Sequence, residues 1–462
     1  MKKSLHRTRW AVAAGVAAVV LVAGCDRLKT ELLAPQNPGI VDPTAAASPT
    51  AALALRVGAL GRFKQVQSGE SIWQMGGTLA DEYKNADFEA TRISADQRIT
   101  DPLTHNWNYN GVTQSRGFVR DAITALSTYL PDSTALRGEL YMELAFFEMT
   151  LADNYCNGIP LGHTVVGVQT NGAPLTVAQV YDSASAHLDT ALALSGGSDA
   201  GSKYVNNAAR VFKGRVLTAK KQYAAAAAIV APVGTTYQYD MTFSSTSVAN
   251  GMWTLNNSTA RISVADSFDL IGGAPNIIKN ALPFASAGDP RVPVVNGDVA
   301  SPTVKAEDAV TKPFYVSLLY KGQYDPLVLA SGIDARLIEA EAKYNASDIP
   351  GMMTILNTLR TQTPRPSIAN VSVAALPALA TPANPVDALS LLFREKAFWT
   401  FGRGQRLPDL RRLIRDYGRT QDNVFPTGVF FKGGNYGVDV NFPIPTSEQT
   451  NPLFSACLDR KA

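Results

Sequence analysis

The chain predicts a mostly α-helical body built from paired helices and interrupted by one large loop-rich insertion. Three observations lead there. Apolar residues recur at steps of three and four in several segments, two segments 126 residues apart look like copies of one helical hairpin, and prolines crowd the stretch between them. With 462 residues, 46% hydrophobic and only 18% charged, the chain can bury a large core and is not a disordered polymer.

The N-terminus comes first. Residues Met1 to Arg9 are basic, Trp10 to Leu21 are apolar, and Val22-Ala23-Gly24-Cys25 follows at once. The apolar run is too short to cross about 30 Å of hydrocarbon as a permanent helix, and the small residues suit a signal peptidase. This segment resembles a bacterial lipobox. Residues 1–24 are therefore read as a lipoprotein signal peptide and Cys25 as the lipid-bearing first residue. Residues 25–48, with Pro35, Pro38 and Pro43, are an extended tether. Residues 49–462 form the body. The leader holds four of the 42 basic side chains and no acid, so the remainder has 38 bases against 39 acids. A near-neutral chain lacks the positive excess that nucleic acid requires.

Along the body, Leu136, Leu140, Leu144, Phe147 and Leu151 mark one buried helical stripe. Thr176 with Gln179 is a capping box for a helix presenting Val180, Ala184, Leu188 and Leu192. Asn384-Pro385 is an N-cap and N1 pair for a helix through Phe401. The two similar hairpins run from Ala209 to Val230 and from Ala335 to Leu356, with Gly214 and Ala340 at corresponding contact points, as in tetratricopeptide-like units. Between them, residues 231–330 carry eight prolines and are expected to hold short strands at most. A second loop-rich stretch runs from Thr361 to Pro385.

The chemistry is sparse. Cys156 and Cys457 are the thiols left in an exported chain and are expected to pair. His105, His163 and His187 lack metal-ligand spacing, so neither metal nor cofactor is expected. No G-x-S-x-G elbow occurs, and Gly402-x-Gly404 lacks the third glycine of a dinucleotide loop, so a non-enzyme is expected. Arg403, Arg406, Arg411, Arg412 and Arg415 read as structural partners of carboxylates such as Glu339, Glu341 and Glu395 rather than as an anion site. Sugar rings stack on exposed aromatic faces beside amides and carboxylates. Trp73, Tyr83, Trp107, Tyr109, Trp253, Phe268, Tyr315 and Tyr320, in loop-like segments, are the ligand-binding candidates, whereas Tyr141, Phe146, Phe147 and Tyr344 read as packing.

Three stretches carry a resemblance. Arg394-Glu395-Lys396-Ala397-Phe398-Trp399 through Gly402-Arg403 to Asp409-Leu410-Arg411-Arg412, the closing Pro443-Ile444-Pro445 with Glu448 and Asn451-Pro452, and Leu140 to Leu161 with its Gly158-Ile159-Pro160 turn are similar to segments of the SusD/RagB lipoproteins. Lys396, Thr400 and Gln405 depart from the pattern. The resemblance implies about four tetratricopeptide-like hairpins, a loop-rich ligand face, an outer-membrane location and a SusC-like TonB-dependent barrel as partner. It further implies an oligosaccharide or, in some members, a peptide as ligand. The competing reading is a periplasmic tetratricopeptide scaffold that binds a protein.

Overall fold

The structure of the protein, a computed structural model, describes residues 48–67, 70–106, 109–165, 168–300, 304–362, 367–368 and 371–462. Its helices are α1 (Pro49–Val66), α2 (Ile72–Ala80), α3 (Ala90–Asp96), α4 (Tyr109–Tyr129), α5 (Thr134–Asn154), α6 (Val177–Leu194), α7 (Ala200–Ala219), α8 (Tyr223–Val230), α9 (Gly332–Asn345), α10 (Ile349–Thr361), α11 (Pro385–Trp399) and α12 (Arg406–Arg415). The expected mostly helical body is therefore present. Its ends are capped where the sequence places them. The Gln179 amide donates to Thr176 Oγ1 at 3.3 Å and the Thr176 amide to Gln179 Oε1 at 2.8 Å. The Asp387 amide donates to Asn384 Oδ1 at 2.9 Å.

Helix α5 departs from the single-stripe expectation. From Met142 on it is buried on every side, because α2, α4, α6, α7 and α12 all pack on it. The T-shaped pair Phe63–Phe146, with ring centroids 5.1 Å apart, fastens α1 to it.

The two repeated hairpins, α7–α8 and α9–α10, stack directly on each other although the insertion separates them. A side chain at Gly214 would run into Val230 and Ile338, one from each hairpin, so close packing explains this glycine. An antiparallel ribbon of Gln238–Met241 and Leu327–Ser331 closes the neck of the insertion. Within it lie only short pieces. Among the described residues all strands form two-stranded ribbons, and a helical turn at Gly251–Trp253 continues as a π turn over Thr254–Ser258. A small hairpin, Ser367–Ile368 with Val371–Ser372, sits in the second loop-rich stretch.

The arginine-rich segment is structural, but of the three expected carboxylates only Glu341 pairs with it. Glu341 is buried between Arg412, Lys396 at 2.8 Å and the Tyr417 hydroxyl at 2.7 Å. Arg406 grips Asp81 at 2.6 and 2.8 Å, Arg403 and Gln405 both bind Asp334, and Arg411 caps the carbonyls of Ala152, Asp153 and Tyr155. Glu395 instead meets Arg291 and Arg360, which come from the insertion and α10, and Glu339 meets Arg336 within its own helix. The atypical Lys396 and Gln405 are thus absorbed into buried clusters around Glu341 and Asp334, where leaving a partner unpaired would be costly. Among the described residues no helix is long and apolar enough to cross a membrane.

Candidate functional site

Much of the sequence-chosen aromatic set is core, not surface. Trp73 is 2% exposed, with its indole tilted on Phe146 at 5.5 Å and its ring against Gly404. Tyr83 is buried on Phe401 and Tyr109 on Tyr155, with centroids 5.2 and 5.0 Å apart, and Tyr320 is buried too. Trp253 and Tyr315 are partly covered by the main core, and Phe268 is half-buried at the base of a hairpin. The segments of Trp73, Tyr83 and Tyr109 look like loops locally but lie beneath the C-terminal helices or tail, which is why they pack. Trp107 and Cys25 lie outside the described residues. Cys156 and Cys457 are joined in a disulfide with Cα atoms 5.8 Å apart, beside the bridge of Asn157 to Asp459.

The loop-rich region offers a different site. Strand Tyr83–Asn85 pairs antiparallel with Ile262–Val264, and the chain then turns outward at Asp87. Asn85 Nδ2 donates to Asp87 Oδ1 at 2.7 Å, and the Glu89 amide to the same oxygen at 3.0 Å, which fixes the turn. The turn presents Phe88, 72% exposed. Across from it stands the hairpin Phe268–Ile271 with Ala274–Ile277, joined by Gly272-Gly273, both at positive φ as a tight hairpin turn requires. Val310 forms the third wall. The fourth is the loop carrying Phe430-Phe431-Lys432, tethered to the hairpin by Asn276 Nδ2 donating to the Val429 carbonyl at 3.0 Å.

These walls enclose a cleft of about 280 Å³, with Phe88, Ile271, Val310 and Phe431 around it and Asp87, Asp308 and Lys432 in its lining. Apolar walls with a few convergent polar groups are what a small-ligand site needs. The Lys432 ammonium donates to Asp308 at 2.6 Å, to the Asp87 carbonyl at 2.7 Å and to Asn85 Oδ1. Burial pushes the Asp308 carboxyl up, but Lys432 and the Thr311 hydroxyl and amide outweigh it and hold it below its ordinary range. Behind the cleft, Asp96 accepts from the Asn85 amide at 2.7 Å, yet burial pushes it up to about 8. Among the described residues no cluster of three or more His, Cys, Asp or Glu could hold a metal ion.

Of the described sequence candidates, only Phe268 sits on a wall of this cleft. Phe88 and Phe431 were missed. Their signal was present: each is an aromatic next to charge in a turn, Phe431 ahead of Lys432-Gly433-Gly434 and Phe88 between Asp87 and Glu89.

No family model matches the sequence, and no curated protein matches it as a relative. Solved structures do. A SusD superfamily protein from Bacteroides vulgatus aligns over 90% of this chain and 100% of its own at a TM-score of 0.62 and 16% identity. A SusD-like carbohydrate-binding protein from Bacteroides fragilis covers 89% and 99% at 0.61 and 13% identity. A laminarin-binding SusD-like protein covers 89% and 99% at 0.57 and 15% identity. Helical hairpins, closed insertion neck and loop-rich face together place this chain in the SusD-like fold.

Proposed function

We propose that the protein binds an oligosaccharide in the cleft between Phe88 and Phe431 and passes it, chemically unchanged, to a SusC-like TonB-dependent barrel in the outer membrane. The observation that carries this reading is the cleft itself. An exposed aromatic, Phe88, a half-buried one, Phe431, and a polar lining stand on the loop-rich face of a fold whose solved examples include carbohydrate-binding proteins. Residues 1–24 would be the cleaved signal, Cys25 the lipidated residue, and residues 25–48 the tether that lets residues 49–462 work at the membrane surface. The barrel partner and the surface location rest on the resemblance to SusD/RagB lipoproteins.

A donor must release its cargo, so stacking on one or two rings with a few hydrogen bonds should give dissociation constants of roughly micromolar to millimolar. Calorimetry against a panel of soluble glycans tests the reading, with Phe88→Ala and Phe431→Ala each expected to weaken binding about tenfold. Binding unaffected by both substitutions would move the site elsewhere, and turnover of a bound glycan would reject the non-catalytic reading. Co-purification of a barrel from detergent-solubilised membrane tests the partner.

A further inference from the structure

We infer that the cleft selects uncharged sugars and turns away uronic-acid and sulfated ones, an inference that rests on the glycan reading above. The reason lies in where its positive charge goes. Lys432 is the cation in the lining, and an ammonium has three N–H donors. They are directed at Asp308, Asn85 Oδ1 and the Asp87 carbonyl, so a ligand carboxylate or sulfate finds no N–H to accept from.

The buried cations behind it, Lys84 and Arg92, are paired too, while the partly exposed Arg261 makes only long ionic contacts. Lys84 meets Asp269 at 2.6 Å, Arg92 meets both Asp87 and Glu70, and Arg261 lies between Asp87 at 3.8 Å and Glu307 at 3.4 Å. Four cations thus face five carboxylates, and an entering anion meets a field that is not positive. Lys305 and Lys312, in the stretch that carries Asp308 and Val310, are exposed, and a charge in solvent adds little to an ion pair. A neutral sugar has the opposite needs. It needs no cation, and its C–H face suits the exposed Phe88 ring.

The experiment is calorimetry of the full chain and its Phe88→Ala and Asp308→Asn variants. The ligands are maltoheptaose, laminarihexaose and xylohexaose on one side, and hexagalacturonate and chondroitin sulfate hexasaccharide on the other. At least one neutral member should bind in a manner that Phe88→Ala weakens, and the anionic members should bind through Phe88 at least tenfold more weakly. Asp308→Asn keeps an oxygen for the Val310 and Thr311 amides but frees the Lys432 charge, so it should shift the ratio several-fold toward the anionic members. Phe88-dependent binding of hexagalacturonate as tight as that of the neutral members would overturn the inference and leave the glycan reading standing. Binding of neither set would overturn both. Should Asp308→Asn melt early, the wild-type ratio alone decides.

Discussion

The helical stack and the loop-rich face satisfy their polar groups by different means. Both pair their buried charges, as Glu341 with Arg412 and Lys396 in the stack and Lys84 with Asp269 by the cleft, but in the stack backbone groups bond within helices. On the loop-rich face, regular ladders are only two strands wide, and side-chain amides supply the rest. Asn256 donates to the Ile262 and Tyr315 carbonyls, Asn257 to those of Ser317 and Tyr320, and Asn280 to those of Asp422 and Phe425. Proline-rich backbone without neighbours must be satisfied in some such way. The lesson is that an amide beside an aromatic in a loop is first a backbone partner. Of the exposed apolar residues, Phe88, Ile277 and Val310 lie on this second face, whereas Val57 and Val386 lie on helices of the stack.

If the stack carries stability and the loop face carries binding, substitutions should separate the two. The largest loss is expected from Glu341→Ala, which leaves Lys396 and Arg412 buried without their carboxylate and should cost about 3–5 kcal/mol in denaturant unfolding. Reducing or replacing Cys156 and Cys457 reopens a loop of 301 residues and should cost about 2–5 kcal/mol, read as a lower melting temperature with no change in glycan affinity. Gly214→Val overpacks the junction of the two repeated hairpins at about 1–3 kcal/mol.

A smaller effect depends on pH. Burial pushes Glu82 up to about 8 from its ordinary 4.5, although it accepts from the Gly402 amide at 2.9 Å. The folded state then holds a proton that the unfolded chain releases, so this group's contribution to stability falls as pH rises from about 4.5 to 8. Glu82→Gln keeps the acceptor and removes that slope, and its melting temperature should gain on wild type between pH 5 and pH 8.5. No gain would mean the carboxyl is ionised in the folded protein. Smallest of all, Phe88→Ala should alter stability by less than about 0.5 kcal/mol while weakening glycan binding. A large loss of stability there would erase the contrast between the two faces.

The helices were legible because their signals are local. Thr176 with Gln179, and Asn384 ahead of Pro385, sit within one turn of what they cap, and the twin hairpins repeat the same spacing. The aromatics show where locality ends. Trp73, Tyr83 and Tyr109 have loop-like neighbours in sequence, yet Phe146, Phe401 and Tyr155 cover them.

Composition, caps and periodicity by themselves determined that this chain is helical, where it is interrupted, and that its arginines serve structure. Only the tertiary structure decided that Glu395 answers to Arg291 and Arg360 rather than to the arginines that follow it, and that Asp87, Ile271, Val310 and Lys432 line one cleft. The first kind of fact depends on residues three or four apart on one helix, whose geometry is the same everywhere. The second depends on segments up to 345 residues apart, as between Asp87 and Lys432, meeting through packing that no local spacing records.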